Sequence, residues 1–428
     1  MVEGRIAPRW LGWATAALGL LALAYYLGGI HDLVSDETFV GTFQHIKSLV
    51  KSDPKIVPQT KPEHANDARL RWTEQEYVHI GVNPYEIAVH PENADPGIGR
   101  LPCRDPGGYP PWAFLTQEVL VPPLPFTAVR WYLVVVNSLA YAIIACWAYS
   151  YGQRYVGDQV GYFMVAVCLA CAGNLANLRW GNYVAIVVAL LIGMNYFSRR
   201  ELPILAGLCL GFAMIKPQDA MLFTFVLVAR KQLTGAAVAV GYTLIAGGIT
   251  AWRVGTNPLV MIDQMFKGAM TWTEDLHLGI LDPLKAANVI PTPILTKLGL
   301  VGGVIVAAAL IWHYRWRSNE VLMAIAAVVA HVSTYHRRYD GIVLAFLLVP
   351  LAATALRNKS ASAWAALVVN GLFLWLPLRE TDYFNLVVST AHCLVVIWGL
   401  VVVLRDPTAE VVESVPFRNI QPKMAFLA

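Results

Sequence analysis

The side chains of this sequence that could do acid–base or phosphate chemistry are confined to a few polar breaks between long apolar runs. The breaks supply carboxylates, which can accept a proton. They also supply lysine, arginine and histidine, which can bind an anion such as phosphate. The residues concerned are Asp67, Arg179, Asn182, Lys216, Gln218, His336, Arg337, Arg338 and Asp340. To act in one site, these breaks must all lie on the same side of the molecule.

A second kind of break is short and basic, and it alternates with the first along the chain. Its members are Arg154, Arg199-Arg200, Arg230-Lys231, Arg315 with Arg317, Arg357 with Lys359, and Arg405. Because positive residues collect on the cytoplasmic side of a bilayer, these breaks are predicted to face the cytoplasm. The chemistry-bearing breaks are then all predicted to face outward.

Composition indicates a membrane protein. Of the 428 residues, 57% are hydrophobic and 14% are charged, whereas soluble proteins have about 25% charged residues. The net charge of +4 is spread over many loops, so nucleic acid binding has no support. The continuous apolar runs favour one polytopic membrane domain over several soluble ones.

The apolar runs predict an all-α membrane protein with about twelve transmembrane helices and both termini in the cytoplasm. The run 10–30 is longer than a signal-peptide core and matches the length of a membrane span. The other predicted spans are 126–150, 159–177, 182–197, 202–215, 217–229, 234–252, 296–313, 321–335, 340–356, 362–377 and 386–404. A single domain over 1–405 is expected. It would contain a first outer loop (31–125) with short surface helices, a second (253–295), and a cytoplasmic tail (406–428).

Two of these spans are short and are separated by Lys216-Pro217. Proline is well suited to the first position of a helix, and irregular backbone at membrane depth persists only where it is buried or lines a wet cavity. One interpretation is an outward-facing cavity with Lys216 at its floor. The other is a loop lysine that reaches to the membrane interface.

Several short motifs occur in a characteristic order. Asp67 opens an aromatic helix that is followed by 81–85 (GVNPY) and by 109–111 (YPP). Further on stand 177–182 (NLRWGN), 215–218 (IKPQ), and 333–336 (STYH) with Tyr339-Asp340. Over residues 10–405 this order resembles glycosyltransferase family 87, the polyprenol-phosphate-mannose-dependent α-mannosyltransferases. This chain has Asn182 where family members more often have glutamine, and 336–338 is more basic than usual.

The resemblance implies a GT-C fold. It also implies an inverting transfer of a hexose, with mannose as the first candidate, from a polyprenyl-phosphate donor to a hydroxyl of an envelope glycolipid or glycan. It implies a location in the bacterial inner membrane, with the active site on the periplasmic side. Asp67 is at the family's position for the general base. The cations that would bind the donor phosphate are Lys216, Arg179, His336, Arg337 and Arg338. The sugar- or acceptor-binding candidates are Trp72, Tyr77, Asn83, Tyr85, Tyr109, Asn182, Gln218 and Asp340.

Several of these assignments have alternatives. The cluster 336–340 could instead anchor the protein to anionic lipid heads, and Asp340 could be a structural partner of Arg337 or Lys216. The aromatic residues could belong to the interfacial belt. No cofactor is implied, and the sequence has no paired acidic metal motif.

Two other classes of function are compatible with many spans. One is a transporter or lipid-linked sugar flippase, although the halves of the sequence show no visible repeat. The other is a non-catalytic scaffold, or a ligase that uses another lipid donor.

Overall fold

The computed structural model describes residues 9–34, 66–95, 97–98, 109–273, 280–281, 283–284, 287, 290–334, 336–376 and 386–406. Within these ranges the chain is helical and has no β-strand. The α-helices are α1 (Arg9–Val34), α2 (Asn66–His79), α3 (Pro84–Val89), α4 (Ala113–Leu120), α5 (Phe126–Val156), α6 (Asp158–Leu169), α7 (Ala172–Trp180), α8 (Val184–Arg199), α9 (Pro203–Ala213), α10 (Pro217–Ala220), α11 (Thr224–Ala229), α12 (Leu233–Arg253), α13 (Pro258–Thr273), α14 (Thr292–His313), α15 (Asn319–Ser333), α16 (Ala345–Asn358), α17 (Ala361–Trp375) and α18 (Leu386–Arg405). Short 3₁₀ helices span Pro91–Asn93, Met221–Phe223 and Arg338–Leu344.

Six of the described helical segments are long and apolar enough to cross a bilayer, and α6 with α7 would add a seventh as a pair bent by 52°. The six are Arg9–Val34, Phe126–Arg154, Leu233–Arg253, Ile294–His313, Arg338–Asn358 and Leu386–Arg405. The remaining predicted spans coincide with shorter apolar helices. These helices are those of a polytopic membrane protein. The twelve-span GT-C arrangement stays a prediction.

The centre of the bundle is formed by α15 and by the segment that contains α16. Residues 319–331 of α15 are all buried, and 94% of the apolar window in Arg338–Asn358 is buried. In α1 only 17% of the corresponding window is buried, and Trp13 and Leu20 project outward. Helices that are apolar all round suit a bundle enclosed by other helices or by lipid.

The predicted site and the basic breaks lie at opposite ends of the same helices. Helix α8 begins beside Asn182 and ends at Arg199, whose guanidinium lies 2.7 Å from the Glu320 carboxylate. Glu320 is at the start of α15, and α15 ends just before His336. Since α8 has 16 residues, a rise of 1.5 Å per residue separates its two ends by about 24 Å.

At the end of the bundle that carries the basic breaks, Asp406 connects the end of α18 to Arg317 and to the end of α16. The Asp406 carboxylate lies 2.9 Å from the Arg357 guanidinium and accepts a hydrogen bond from the Thr354 hydroxyl. The backbone carbonyl of Asp406 accepts a hydrogen bond from Arg317. Asp406 is the first residue of the predicted tail, yet it is buried. Residues 407–428 lie outside the described part of the chain.

Candidate active site

The turn between α7 and α8 brings Asn182 into the interior. Helix α7 ends at Gly181, which has φ +65°, and the Asn182 amide donates to the carbonyl of Asn177 in the manner of a glycine-terminated helix. The Asn177 side chain supports the same turn, because its oxygen accepts from the amide of Ala185. The side chain of Asn182 is therefore buried and held in one orientation.

Helix α2 packs directly on this turn and so places Asp67 at the site. A Cβ atom at Gly181 would lie 2.5 Å from the Cβ of Ala68, so only glycine allows this approach. Asp67 precedes Ala68 in the first turn of α2 and is partly exposed. Its Oδ2 atom accepts a hydrogen bond of 2.7 Å from Nδ2 of Asn182.

Lys216 enters the site from the break between α9 and α10. Its backbone (φ −121°, ψ 84°) lies outside the helical region, as expected for a residue before proline, and Pro217 opens α10. The side chain is 3% exposed, which favours the interpretation as the floor of a cavity over that of a lysine reaching to the interface. Nζ donates to Oδ1 of Asn182 at 3.2 Å and to Oδ1 of Asp340 at 2.5 Å.

These contacts form one chain of hydrogen bonds from the candidate base to a buried cation. Asn182 donates to Asp67 and accepts from Lys216, and Lys216 also donates to Asp340. The ring of Tyr339 lies 4.7 Å from the lysine nitrogen. The partly exposed carboxylate of Asp67 and the fixed ammonium group of Lys216 are thus bridged by the single side-chain amide of Asn182. This arrangement suits a proton acceptor next to a phosphate-binding group.

His336 and Asp340 follow α15 and close the inner side of this group. The ring of His336 is buried, with Nε2 2.8 Å from the carbonyl oxygen of Ala330. Oδ2 of Asp340 accepts a hydrogen bond from the Arg337 backbone amide and caps the 3₁₀ helix. Asp340 is therefore a structural partner of Lys216 and of the Arg337 backbone, which is one of the two interpretations that the sequence allowed.

Arg71 and Tyr109 form the outer wall beside Asp67. The Arg71 guanidinium lies 2.5 Å from the Glu74 carboxylate and 4.4 Å from the centre of the Tyr109 ring. Burial lowers the pKa of Arg71, but Glu74, Tyr109 and Asp67 outweigh it, and the net pKa is raised. Burial raises the pKa of Tyr109 well above its ordinary value. The wall thus presents an arginine that stays charged and a phenol that stays neutral.

The other predicted phosphate-binding cations are placed differently from Lys216. The Nε of Arg179 lies 3.5 Å from the buried carboxylate of Asp32 at the end of α1, so that carboxylate offsets its charge. Arg337 contributes its backbone amide to Asp340. Arg338 donates to the carbonyl of Leu376 and is partly exposed. By contrast, the side chains of Lys216 and His336 both lie against the Asp340 carboxylate.

Three of the predicted sugar-binding residues have structural roles inside the outer loop. Tyr77 is 1% exposed and its hydroxyl accepts from the amide of Asp95. Tyr85 is 1% exposed and donates to the carbonyl of Tyr109 at 2.5 Å. Asn83 caps α3 and donates to Gln264 of α13 at 2.9 Å. These side chains are thus buried and engaged in the fold of the loop, and their sugar-binding role stays a prediction.

Trp72 and Gln218 are the remaining predicted residues, and both are partly exposed. The indole of Trp72 donates to the carbonyl of Leu124, and its ring contacts Phe126. Gln218 lies in α10 between Lys216 and Asp219. Gln218 is therefore near the cation, whereas Trp72 packs on the start of α5.

With this geometry established, the chain was compared with known proteins. The model of glycosyltransferase family 87 matches residues 108–378, which is more than half of the chain. The chain belongs to glycosyltransferase family 87. Comparison with curated proteins and with solved structures found no match. The protein is thus a membrane glycosyltransferase, which requires a sugar donor and an acceptor. Asp67 lies before the matched range, so its role rests on its position in the site.

Sequence reasoning missed two buried carboxylates of this family 87 transferase. Asp219 is fully buried beside Lys216 and His336, and Asp32 is buried beside Arg179. Asp219 follows Lys216 by three positions, which is the spacing of neighbours on a helix face. Asp32 lies near the C-terminal end of α1, just after the first apolar run. An acidic residue at the edge of an apolar run was the available signal in both cases.

One group in the transferase has the residue types of a metal site. Among the described residues, Asp219, His336 and Asp340 bring one potential ligand atom each to within 4.8 Å of one another, and all three side chains are buried. The sequence does not suggest this group, because the fold assembles it from two distant parts of the chain.

Proposed function

We propose that this protein is an inverting glycosyltransferase that moves a hexose, with mannose as the first candidate, from a polyprenyl-phosphate donor to a hydroxyl group. The acceptor would be an envelope glycolipid or glycan on the extracytoplasmic face of the bacterial inner membrane. The observation that carries this proposal is the hydrogen-bonded series Asp67–Asn182–Lys216–Asp340. It supplies the two functional groups that such a displacement needs.

Asp67 would act as the general base. Its carboxylate takes the proton of the acceptor hydroxyl as that oxygen attacks the anomeric carbon, in the manner of the base of an inverting glycosidase. The Asn182 amide donates to one oxygen of Asp67, which fixes the plane of the carboxylate. The side chain remains partly exposed, so the acceptor can approach it from the outer loop.

Lys216 would stabilise the leaving phosphate. The bond between the anomeric carbon and the phosphate oxygen breaks as the new bond forms, and its electron pair stays on the phosphate oxygen. A fixed ammonium group in a water-poor site stabilises the resulting charge. Asp340 and Asn182 hold the ammonium group in place, so little reorganisation is needed when the donor binds.

The test is transfer of labelled sugar from polyprenyl-phosphate-mannose to envelope glycolipids by purified wild type and Asp67→Asn. We expect the variant to bind donor but to lose about 10²–10⁴-fold in kcat, the usual contribution of a general base. Glu76→Gln is the matched control, because Glu76 lies on the same helix and is 28% exposed. Equal kcat for Asp67→Asn and wild type would remove Asp67 from the mechanism.

The same assay identifies the donor. Polyprenyl phosphates that carry mannose, glucose or arabinofuranose are offered in parallel, and the mass and linkage of each product are determined. Transfer from the mannose donor alone would support the proposed sugar. Transfer only from another donor would contradict the choice of mannose but leave the roles of Asp67 and Lys216 intact.

A further inference from the structure

The three side chains of Asp219, His336 and Asp340 converge behind Lys216. Nδ1 of His336 lies 3.3 Å from Oδ1 of Asp219 and 3.8 Å from Oδ2 of Asp340. Ligand atoms around a metal ion with bonds of about 2.1 Å are roughly 3.0–3.5 Å apart. The two distances from Nδ1 are therefore close to the separation that one shared ion requires, and all three ligand atoms lie within 4.8 Å of one another.

Asp219 is a buried carboxylate with little compensation from hydrogen bonds. It is 0% exposed, and neither of its oxygens accepts a hydrogen bond within the described residues. Two nitrogen atoms lie near it, Nδ1 of His336 at 3.3 Å and Nζ of Lys216 at 3.6 Å. Burial of an ionised carboxylate is costly unless hydrogen bonds or a bound cation compensate it.

The histidine ring is oriented as a metal ligand would be. Nε2 faces the carbonyl oxygen of Ala330 at 2.8 Å, and a carbonyl can only accept, so Nε2 carries a hydrogen. The hydroxyl of Thr334 donates to the same carbonyl. Nδ1 makes no hydrogen bond within the described residues, although two carboxylates are near. A histidine whose other nitrogen donates to a backbone carbonyl is the usual arrangement around a protein-bound metal.

Lys216 leaves the position between these three ligand atoms free, because each carboxylate turns one oxygen to Lys216 and the other to His336. Lys216 faces Oδ1 of Asp340 and Oδ2 of Asp219. His336 faces Oδ2 of Asp340 and Oδ1 of Asp219. The two carboxylates can therefore bridge the ammonium group on one side and a second cation on the other.

We propose that Asp219, His336 and Asp340 bind one divalent transition-metal ion, with Mn²⁺ and Zn²⁺ as the ions that suit two carboxylates and an imidazole. The ion would lie next to Lys216 and add positive charge to the inner side of the cavity. This proposal does not depend on the identity of the sugar or on Asp67 as the base.

The experiment measures bound metal directly. Detergent-purified protein is treated with chelator, exposed to MnCl₂ or ZnCl₂, desalted and analysed for metal per protein, and bound Mn²⁺ is observed by electron paramagnetic resonance. We expect about one equivalent in wild type and at least a tenfold lower affinity in Asp219→Asn and His336→Gln, since loss of even an outer-shell partner costs about 10–100-fold. Only variants that elute from gel filtration like wild type are compared.

Two further variants make the result specific. Asp67→Asn is expected to retain the metal while it loses transfer, which separates failure of this proposal from failure of the proposed function. Lys216→Gln is expected to retain the metal or bind it more tightly, because a competing positive charge is removed. Wild type without metal, or Asp219→Asn with as much metal as wild type, would overturn the proposal and leave the group as a closed ionic cluster with Lys216.

Discussion

At the scale of single residues, the side-chain amide of Asn182 holds both functional groups at once. Its nitrogen donates to Asp67 and its oxygen accepts from Lys216 and from the amide of Tyr183. The amide cannot be turned over without placing its oxygen against the carboxylate. Asn182 was predicted to bind sugar, but these contacts favour a positioning role.

Replacement of Asn182 by leucine is expected to lower kcat by about 10²-fold, because small misplacements of a catalytic group have effects of that order. Asn182→Asp should be at least as impaired, since it places a second carboxylate against Asp67. Asn257→Ser is the control, because Asn257 is an exposed asparagine whose side chain accepts from the amide of Leu259. Steady-state kinetics with labelled donor measure the effect, and an unchanged kcat in Asn182→Leu would refute it.

The buried pair of Lys216 and Asp340 gives a second prediction. Lys216→Met leaves the Asp340 carboxylate buried with its closest cation removed, which is expected to cost about 3–5 kcal/mol of stability. The double variant Lys216→Met with Asp340→Asn should recover part of this loss, because the buried charge of Asp340 is then removed together with its partner.

Between Lys216→Met and the double variant, stability is expected to change while sugar-transfer activity is not. Thermal unfolding in detergent should show the recovery in the double variant, whereas sugar transfer should stay lost because the cation is absent. A double variant no more stable than Lys216→Met would show that the pair does not act as a unit.

Site residues were predictable from sequence only where both the residue type and its position in the chain indicated a function. Lys216 stood out because a lysine before proline interrupts an apolar run. Tyr77 and Tyr85 could not be distinguished from sugar-binding aromatics, because burial inside the outer loop depends on helices far along the chain. Asp219 was overlooked because an isolated acidic residue beside a lysine resembles an ordinary surface pair.

At the scale of helices, the close approach of α2 to the α7–α8 turn positions Asp67, the proposed base. The contact is between Ala68 and Gly181, and the neighbouring residues Asp67 and Asn182 form the hydrogen bond. Any side chain at position 181 must push α2 away from the turn. The separation of Asp67 from Lys216 therefore depends on one glycine.

Gly181→Ala tests this dependence, with Gly255→Ala as its matched control. Gly181 has φ +65° and Gly255 has φ +64°, but a Cβ at Gly255 meets nothing within 4 Å. Both variants should lose about 1–2 kcal/mol for a side chain in the left-handed region. Only Gly181→Ala should also lose transfer. Equal kcat values in the two variants would contradict the positional role.

The helices themselves were largely predictable, whereas their arrangement was not. Pro217 marks the start of α10, and the apolar runs coincide with described helices. The sequence did not reveal that α15 and α16 lie at the centre of the bundle or that α1 lies at its edge. Apolar character alone does not distinguish a helix that faces lipid from one that faces protein.

At the scale of the whole molecule, the two kinds of polar break lie at the two ends of the bundle. Arg199 contacts Glu320 at one end, while Asn182 and Lys216 meet at the other. This separation agrees with the alternation read from the sequence. The orientation of the bundle in the membrane follows if the basic end is cytoplasmic.

Cysteine labelling tests that orientation. Glu92→Cys places a thiol at an exposed position after α3, and Ser362→Cys places one at an exposed position near the start of α17. In intact cells a membrane-impermeant maleimide should label Glu92→Cys, and Ser362→Cys only after permeabilisation. Labelling of the wild-type cysteines is subtracted as background. The reverse pattern would place the site on the cytoplasmic face.

The contacts of Asp406 bear on how the protein is made. Arg317 and Arg357 emerge from the ribosome well before Asp406, the residue to which both are joined in the finished molecule. During synthesis these two arginines cannot make their contacts with Asp406 until α18 has been inserted. These contacts can therefore form only after α18 has been synthesised, when Asp67, Lys216 and His336 are already present in the nascent chain.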